Sequence, residues 1–141
     1  MKDNRVTLPS AVLFEDDKAT LKRESDAVLE LVYQYLVDNQ DVTKHRVEGY
    51  TSVGADPEKD MKLSQERAMM VVHWLVGKGI DCHRLIPVGF GRTRLRVDPE
   101  RTAEDKAGNR RVEFVNAEMT GAAIGGLPLD GGGKIAGDPC R

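Results

Sequence analysis

No stretch of this chain approaches the ~20 consecutive apolar residues that cross a bilayer as a helix. Its opening residues, MKDNRVTLPS, lack the apolar core of a signal peptide. An excess of one charge is missing too: 21 Lys and Arg against 23 Asp and Glu leave a formal net charge of -2, which gives no general basis for nucleic-acid binding. Histidine is scarce, and His45, His73 and His83 are scattered over separate segments. No Ser-His-Asp spacing, HExxH zinc pattern or Walker loop is present, and the glycines of GFGRTR follow a strand-like run without opening a helix. There is no internal repeat. These absences argue against an enzyme and against a resident metal or cofactor. They leave a binding or structural module, either cytoplasmic or cut from a longer exported protein. The two cysteines, Cys82 and Cys140, lie far apart and form no metal-spaced motif. A long-range disulfide in an oxidising compartment and two unrelated free thiols both fit that spacing.

What is present suits one domain of 141 residues, with 40% hydrophobic and 31% charged residues. The apolar run of residues 6–14 is broken by Pro9, which cannot donate to a ladder, so a first strand is expected at Ala11–Phe14. Glu15, Asp16 and Asp17 end that run as a solvated acidic turn or as acids lying over a cleft. Leu21–Asn39 reads as a helix with Ser25 near its start; Val28, Leu31, Val32, Tyr35 and Leu36 form its buried stripe. Arg46–Thr51 is a second strand, followed by a polar loop, residues 52–62. A second helix starts near Leu63 or Ser64, buries Ala68, Val71, Val72, Leu75 and Val76, and ends at Gly77-Lys78-Gly79. A third strand follows at Leu85–Val88. A charged excursion with a helical turn near Thr102 leads to a last strand, Asn109–Val115. Arg110 and Arg111, adjacent on that strand, should face opposite ways and not act as one patch, one of them tying the excursion or a helix to the sheet.

This order predicts an α+β fold: a two-layer α/β sandwich of βαβαβ-β order, with a mixed sheet and the helices on one face. The expected division is an N-terminal segment at residues 1–10, a domain at residues 11–116 and a Gly-rich tail at residues 117–141, disordered or laid over the surface. Functional weight falls on the strand–loop–helix of residues 46–79. There, helix N–H groups, the helix dipole and the planar fork of Arg67 would hold a small anion. Arg67 precedes Ala68 by one position, about 100° round the helix, so it borders the buried stripe.

The run GYTSVGADPEKDMKLSQERAMMVVHWLVGKGI, with the GFG and NRRVEF that follow, resembles the OmpA-like C-terminal, peptidoglycan-associating domain family over roughly Val12 to Val115. The resemblance implies the same two-layer sandwich. It also implies non-covalent binding of the diaminopimelate in peptidoglycan peptide stems, in the periplasm of a Gram-negative envelope. Attachment to the outer membrane would run through a missing N-terminal region. The family's ligand arginine falls on Arg67, flanked by matching Leu63, Ser64 and Ala68, with Thr51 in the GYT strand. The family's usual Asn falls on Asp60, its usual loop Gly on Ala55, and its ligand aspartate on Ser52. A hydroxyl there removes the partner of the ligand's ammonium group. Asp56, Asp60 or Asp17 would have to supply that charge, or binding survives weakened on Arg67 and backbone groups. Otherwise the domain has kept its fold and become a protein-interaction or structural module.

Overall fold

One long central strand and the helix packed across it set the architecture. The computed structural model describes residues 4–124 and 132–141; the start of the N-terminal segment and residues 125–131 of the Gly-rich tail lie outside the described residues. In chain order the elements are α1 (Asp26–Asp38), β1 (Val42–Tyr50), α2 (Pro57–Gly77), β2 (Leu85–Gly91), α3 (Ala103–Asn109), β3 (Arg111–Met119), β4 (Ala122–Ala123) and β5 (Lys134–Ile135). The strands form one sheet in the order β4-β3-β1-β2-β5. β1 pairs parallel with β2 and antiparallel with β3, and β5 adds antiparallel to the outer edge of β2. This is the expected α+β class with a mixed sheet.

The main core lies between the helices and one sheet face, and joins Val28, Leu29, Val32 and Leu36 of α1 to Ala68, Val71, Val72 and Leu75 of α2, over Val47 and Phe114. The stripe expected for α1 needs one correction. Leu31 is 49% exposed and Leu29 is buried in its place, because the helix rotates to turn Val28 and Leu29 inward together. Ser25 makes no cap bond to the helix; its hydroxyl instead accepts from the Leu13 N–H at 2.6 Å and donates to the Leu13 carbonyl at 2.9 Å.

Three further expectations change. No strand forms at Ala11–Phe14. Phe14 makes one isolated antiparallel bridge to Leu21, and residues 11–22 become a strap closed over the turn at residues 15–20. The strap's apolar residues serve burial, since Val12 and Phe14 join the core cluster and need no ladder. Second, α2 begins at Pro57, two turns before Leu63, with Asp56 as N-cap accepting from the Glu58 N–H at 2.9 Å. Third, β2 runs through Gly89 to Gly91. Gly49 and Gly89 are register partners on β1 and β2. A Cβ on Gly49 would collide with the Ser64 carbonyl, and one on Gly89 with Ser64 and Gln65. The glycine pair is therefore the seat on which α2 lies.

On the other face, Tyr50 and Phe90 stack with ring centroids 5.0 Å apart, and the Tyr50 hydroxyl donates to buried Glu48 at 2.6 Å. Burial and Glu48 both push the Tyr50 phenol upward from its ordinary pKa. Segment 132–137 crosses this face: a Cβ on Gly133 would strike Phe90 and Val88. Cys82 and Cys140 are bonded, so the alternative of two free thiols falls away and the segment is pinned to the turn before β2.

Candidate functional site

A cavity of about 430 Å³ opens where the strap, the end of β1, the middle of α2 and the start of β3 meet; Phe14, Asp16, Asp17, Ser52, Arg67 and Arg110 are among its lining residues. Helix α2 carries Arg67 on the border of its buried stripe, as the spacing predicts, and the residue is only 5% exposed. Nε donates to the Lys18 carbonyl at 2.9 Å and one Nη to the Glu15 carbonyl at 3.4 Å. The guanidinium carbon lies 5.0 Å from the centroid of the Phe14 ring. The strap thus clamps the fork on one edge and one face. Among the described residues Arg67 makes no ion pair with an acid.

Burial, then the charge of Arg110, press the Arg67 pKa down from its ordinary value, while Asp17 and Asp16 pull it back. An arginine remains charged under such pressure. Poor solvation and a like-charged neighbour make an incoming oxyanion the natural relief.

Arg110 and Arg111 correct another expectation, since both line this cavity. Arg110 is the C-cap of α3 and lies outside the strand, so the alternation of strand faces does not separate them. Arg110 is exposed and projects charge into the opening. Arg111 is a wall: its guanidinium carbon sits 3.9 Å from the Tyr50 ring centroid, it pairs with Glu113 at 3.3 Å, and it donates to the Arg94 carbonyl at 3.1 Å. That last bond ties the excursion to the sheet. Lys22 adds a further cation to the lining.

The other residues singled out from the sequence divide. Ser52 and Asp17 share the cavity with Arg67. Asp56, Asp60 and Leu63 line a neighbouring hollow that meets the first at Asp17. Asp60 pairs with Arg92 at 2.9 Å and accepts from the Gly54 N–H at 3.0 Å, so its charge is already committed. Asp56 is occupied as the helix cap. Ser64 is fully buried and lines neither hollow; it donates to the Met61 carbonyl at 2.8 Å and accepts from the Gly91 N–H at 2.9 Å, stitching α2 to β2. Thr51 is also buried outside both, its N–H bound to the Gly91 carbonyl at 2.8 Å.

The earlier start of α2 changes the electrostatics. The free first-turn N–H groups belong to residues near Pro57, and Arg67 stands ten positions on, about 15 Å along the axis. Helix-dipole help is confined to the first turn, so it does not reach the Arg67 cavity. Cationic side chains supply the field there. Asp17, with φ 55 in the left-handed region, projects from the strap turn at the junction of the two hollows. Asp16 joins it on the wall. Of the two readings the sequence left open for residues 15–17, a solvated turn and acids over a cleft, Asp16 and Asp17 follow the second. Nothing in the sequence pointed to Arg110, whose place depends on where α3 ends.

A family model described as the OmpA family matches residues 13–110. Among curated proteins, the chain is similar to the outer membrane protein A of Bordetella avium, 37% identical over 110 residues, covering 78% of this chain and 56% of that one. It is also similar to the outer membrane protein A of Serratia marcescens, 38% identical over 93 residues, covering 64% of this chain and 26% of the relative. The chain therefore spans about half or less of these relatives' length. Among solved structures, the peptidoglycan-associated lipoprotein from Burkholderia pseudomallei superposes with a TM-score of 0.68 at 24% identity, covering 74% of this chain and 87% of that one. The cell wall anchor of the T6SS from Pseudomonas aeruginosa does so with a TM-score of 0.61 at 28% identity, covering 75% and 76%.

Proposed function

The chain belongs to the OmpA family, and from that premise we propose that it binds the peptide stem of peptidoglycan non-covalently, as the wall-anchoring part of an envelope protein. Its place of action is the periplasm, beside the outer membrane. The bonded Cys82–Cys140 pair suits such an oxidising compartment. The work is binding, not catalysis.

The observation that carries this reading is Arg67, buried, clamped by two strap carbonyls and facing a cavity lined by both charges. The ligand group is diaminopimelate, which offers a carboxylate and an ammonium on one carbon. The carboxylate takes the Arg67 fork, with Arg110 as a second cation. The ammonium sits against Asp17 and Asp16, which replace the acid lost at Ser52. The Ser52 hydroxyl contributes one neutral hydrogen bond.

The test is direct. The chain is incubated with purified sacculi and titrated with free diaminopimelate. Saturable binding, lost in Arg67→Ala and weakened at least tenfold in Asp17→Asn, is the expected result. The second reading, a module that has kept the fold and recognises a protein, is favoured by the neutral Ser52. A well-folded chain that ignores sacculi and millimolar diaminopimelate would replace the first reading with the second.

A further inference from the structure

The side chains around Cys82 lie outside the cavity and outside the binding reading. We infer that Cys82, Cys140 and His83, with Asp81 beside them, form a latent site for a borderline-soft divalent cation of the zinc class, closed while the two sulfurs are bonded and opened by their reduction.

The ligating atoms of Cys82, His83 and Cys140 all lie within 4.8 Å of one another, and among the described residues no other trio of such side chains gathers so closely. The Cys82 sulfur is 3.9 Å from Nδ1 of His83. A tetrahedral zinc with metal–sulfur bonds of about 2.3 Å and metal–nitrogen bonds of about 2.0–2.1 Å has ligand–ligand edges of roughly 3.5–3.8 Å. The sulfur–nitrogen edge is thus nearly in place, and only the two sulfurs must separate. Asp81 stands beside this trio, in contact with the His83 ring. Its Oδ1 lies 2.9 Å from the same Nδ1 and also accepts the His83 backbone N–H at 2.9 Å, which fixes the ring and the carboxylate against each other. The same carboxylate caps the 3-10 turn that carries Cys82 and His83.

The site has room to adjust. Cys82 begins a short 3-10 turn on one side, and Cys140 lies on an exposed segment whose own turn is closed by Asp138. The chemistry balances. A dithiol reductant donates two electrons and two protons, becoming a disulfide while Cys82 and Cys140 become thiols. The cation then takes both sulfurs as thiolates and releases two protons. His83 takes the tautomer with its proton on Nε2 and gives up the Nδ1 hydrogen bond to Asp81. It binds through the freed Nδ1 lone pair, and the released Asp81 oxygen or a water takes the fourth position. In either state the segment carrying β5 stays tethered beside β2, first by a covalent bond and then by a metal.

The test uses the full chain reduced by a phosphine, with zinc titrated in competition with a chromophoric chelator. Expected is one zinc per chain, bound at least a hundredfold more tightly than by the oxidised chain. Cys140→Ser and His83→Gln should each lose at least tenfold. Cobalt in place of zinc should give the visible bands of a tetrahedral thiolate complex. The Ala136 amide, bonded to the Pro87 carbonyl at 2.9 Å, should stay protected from hydrogen exchange in the metal-loaded chain. Zinc affinity in the reduced chain no better than in its Cys82→Ser/Cys140→Ser variant would overturn the inference. So would tight binding with Ala136 exchanging freely, because the metal would then sit on a detached segment.

Discussion

His45 gives the sharpest test of how this interior is built. The ring is fully buried between Phe114 and Tyr35, and its Nδ1 lies 2.9 Å from Asn116 Oδ1. Asn116 in turn donates to the Tyr35 hydroxyl at 2.6 Å, which orients its amide and makes His45 Nδ1 the protonated nitrogen. Burial drives the His45 pKa down to about 4 from 6.5; the Asn116 bond opposes this, and the charge of Arg84 adds to it. Between those values the unfolded chain binds a proton that the folded chain refuses. Stability is therefore intact above about pH 6.5 and drains away as pH falls toward about 4. A gap of about 2.5 pKa units corresponds to about 3 kcal/mol. Chemical denaturation is measured from pH 4 to 8 on the parent and on His45→Asn, whose amide can keep the bond to Asn116. The variant is less stable at pH 8, from lost packing. The difference between the two curves should shrink by about 3 kcal/mol as pH falls from 6.5 to 4. A difference that is level across that range would refute the reasoning, since the carboxylates shared by both proteins cancel.

Three other outcomes follow from the same geometry. Because Asp17 and Asp16 already partner the ammonium, Ser52→Asp should change diaminopimelate binding by less than about threefold in calorimetry; a gain of about 30-fold, equivalent to about 2 kcal/mol, would mean the strap acids do not fill that role. Gly49→Ala should cost about 2–4 kcal/mol in denaturant unfolding, because α2 must lift from the sheet to clear the new methyl. Asn109 is buried and holds the N–H groups of Arg96 and Val97, the Val97 carbonyl and Glu100. Asn109→Ala should leave those groups unpaired, lower stability by about 1–3 kcal/mol, and speed hydrogen exchange across residues 94–100.

The parts of the fold that were legible from the residues are those where packing repeats. Ala68, Val71, Val72 and Leu75 announce the buried face of α2 at helical spacing, and all four are buried. The start of that helix was not legible from apolar periodicity, because its first turns, PEKDMK, are polar; the usable signal was Asp56 before Pro57, a cap and a first-position proline. The strap misled for the opposite reason. Val12, Leu13 and Phe14 are strand-like residues, yet Val12 and Phe14 reach the core without a ladder and Leu13 stays exposed. β5 is two residues long and has no period to read. In the cavity, Arg67 was visible from its place beside Ala68. Arg110 was not, since strand alternation says nothing about a residue one step before the strand begins.

The strap has a consequence of its own. The carbonyls of Glu15 and Lys18 are the only hydrogen-bond partners the described residues give the Arg67 guanidinium. A seated strap and a correctly aimed fork are therefore one event. Whatever loosens residues 11–22 turns the fork loose and uncovers Val12 and Phe14 of the core together, and a ligand held by that fork would fasten those residues down. Occupancy is then readable at a distance from the ligand, as slowed amide exchange at Glu15 and Lys22, whose N–H groups close the strap.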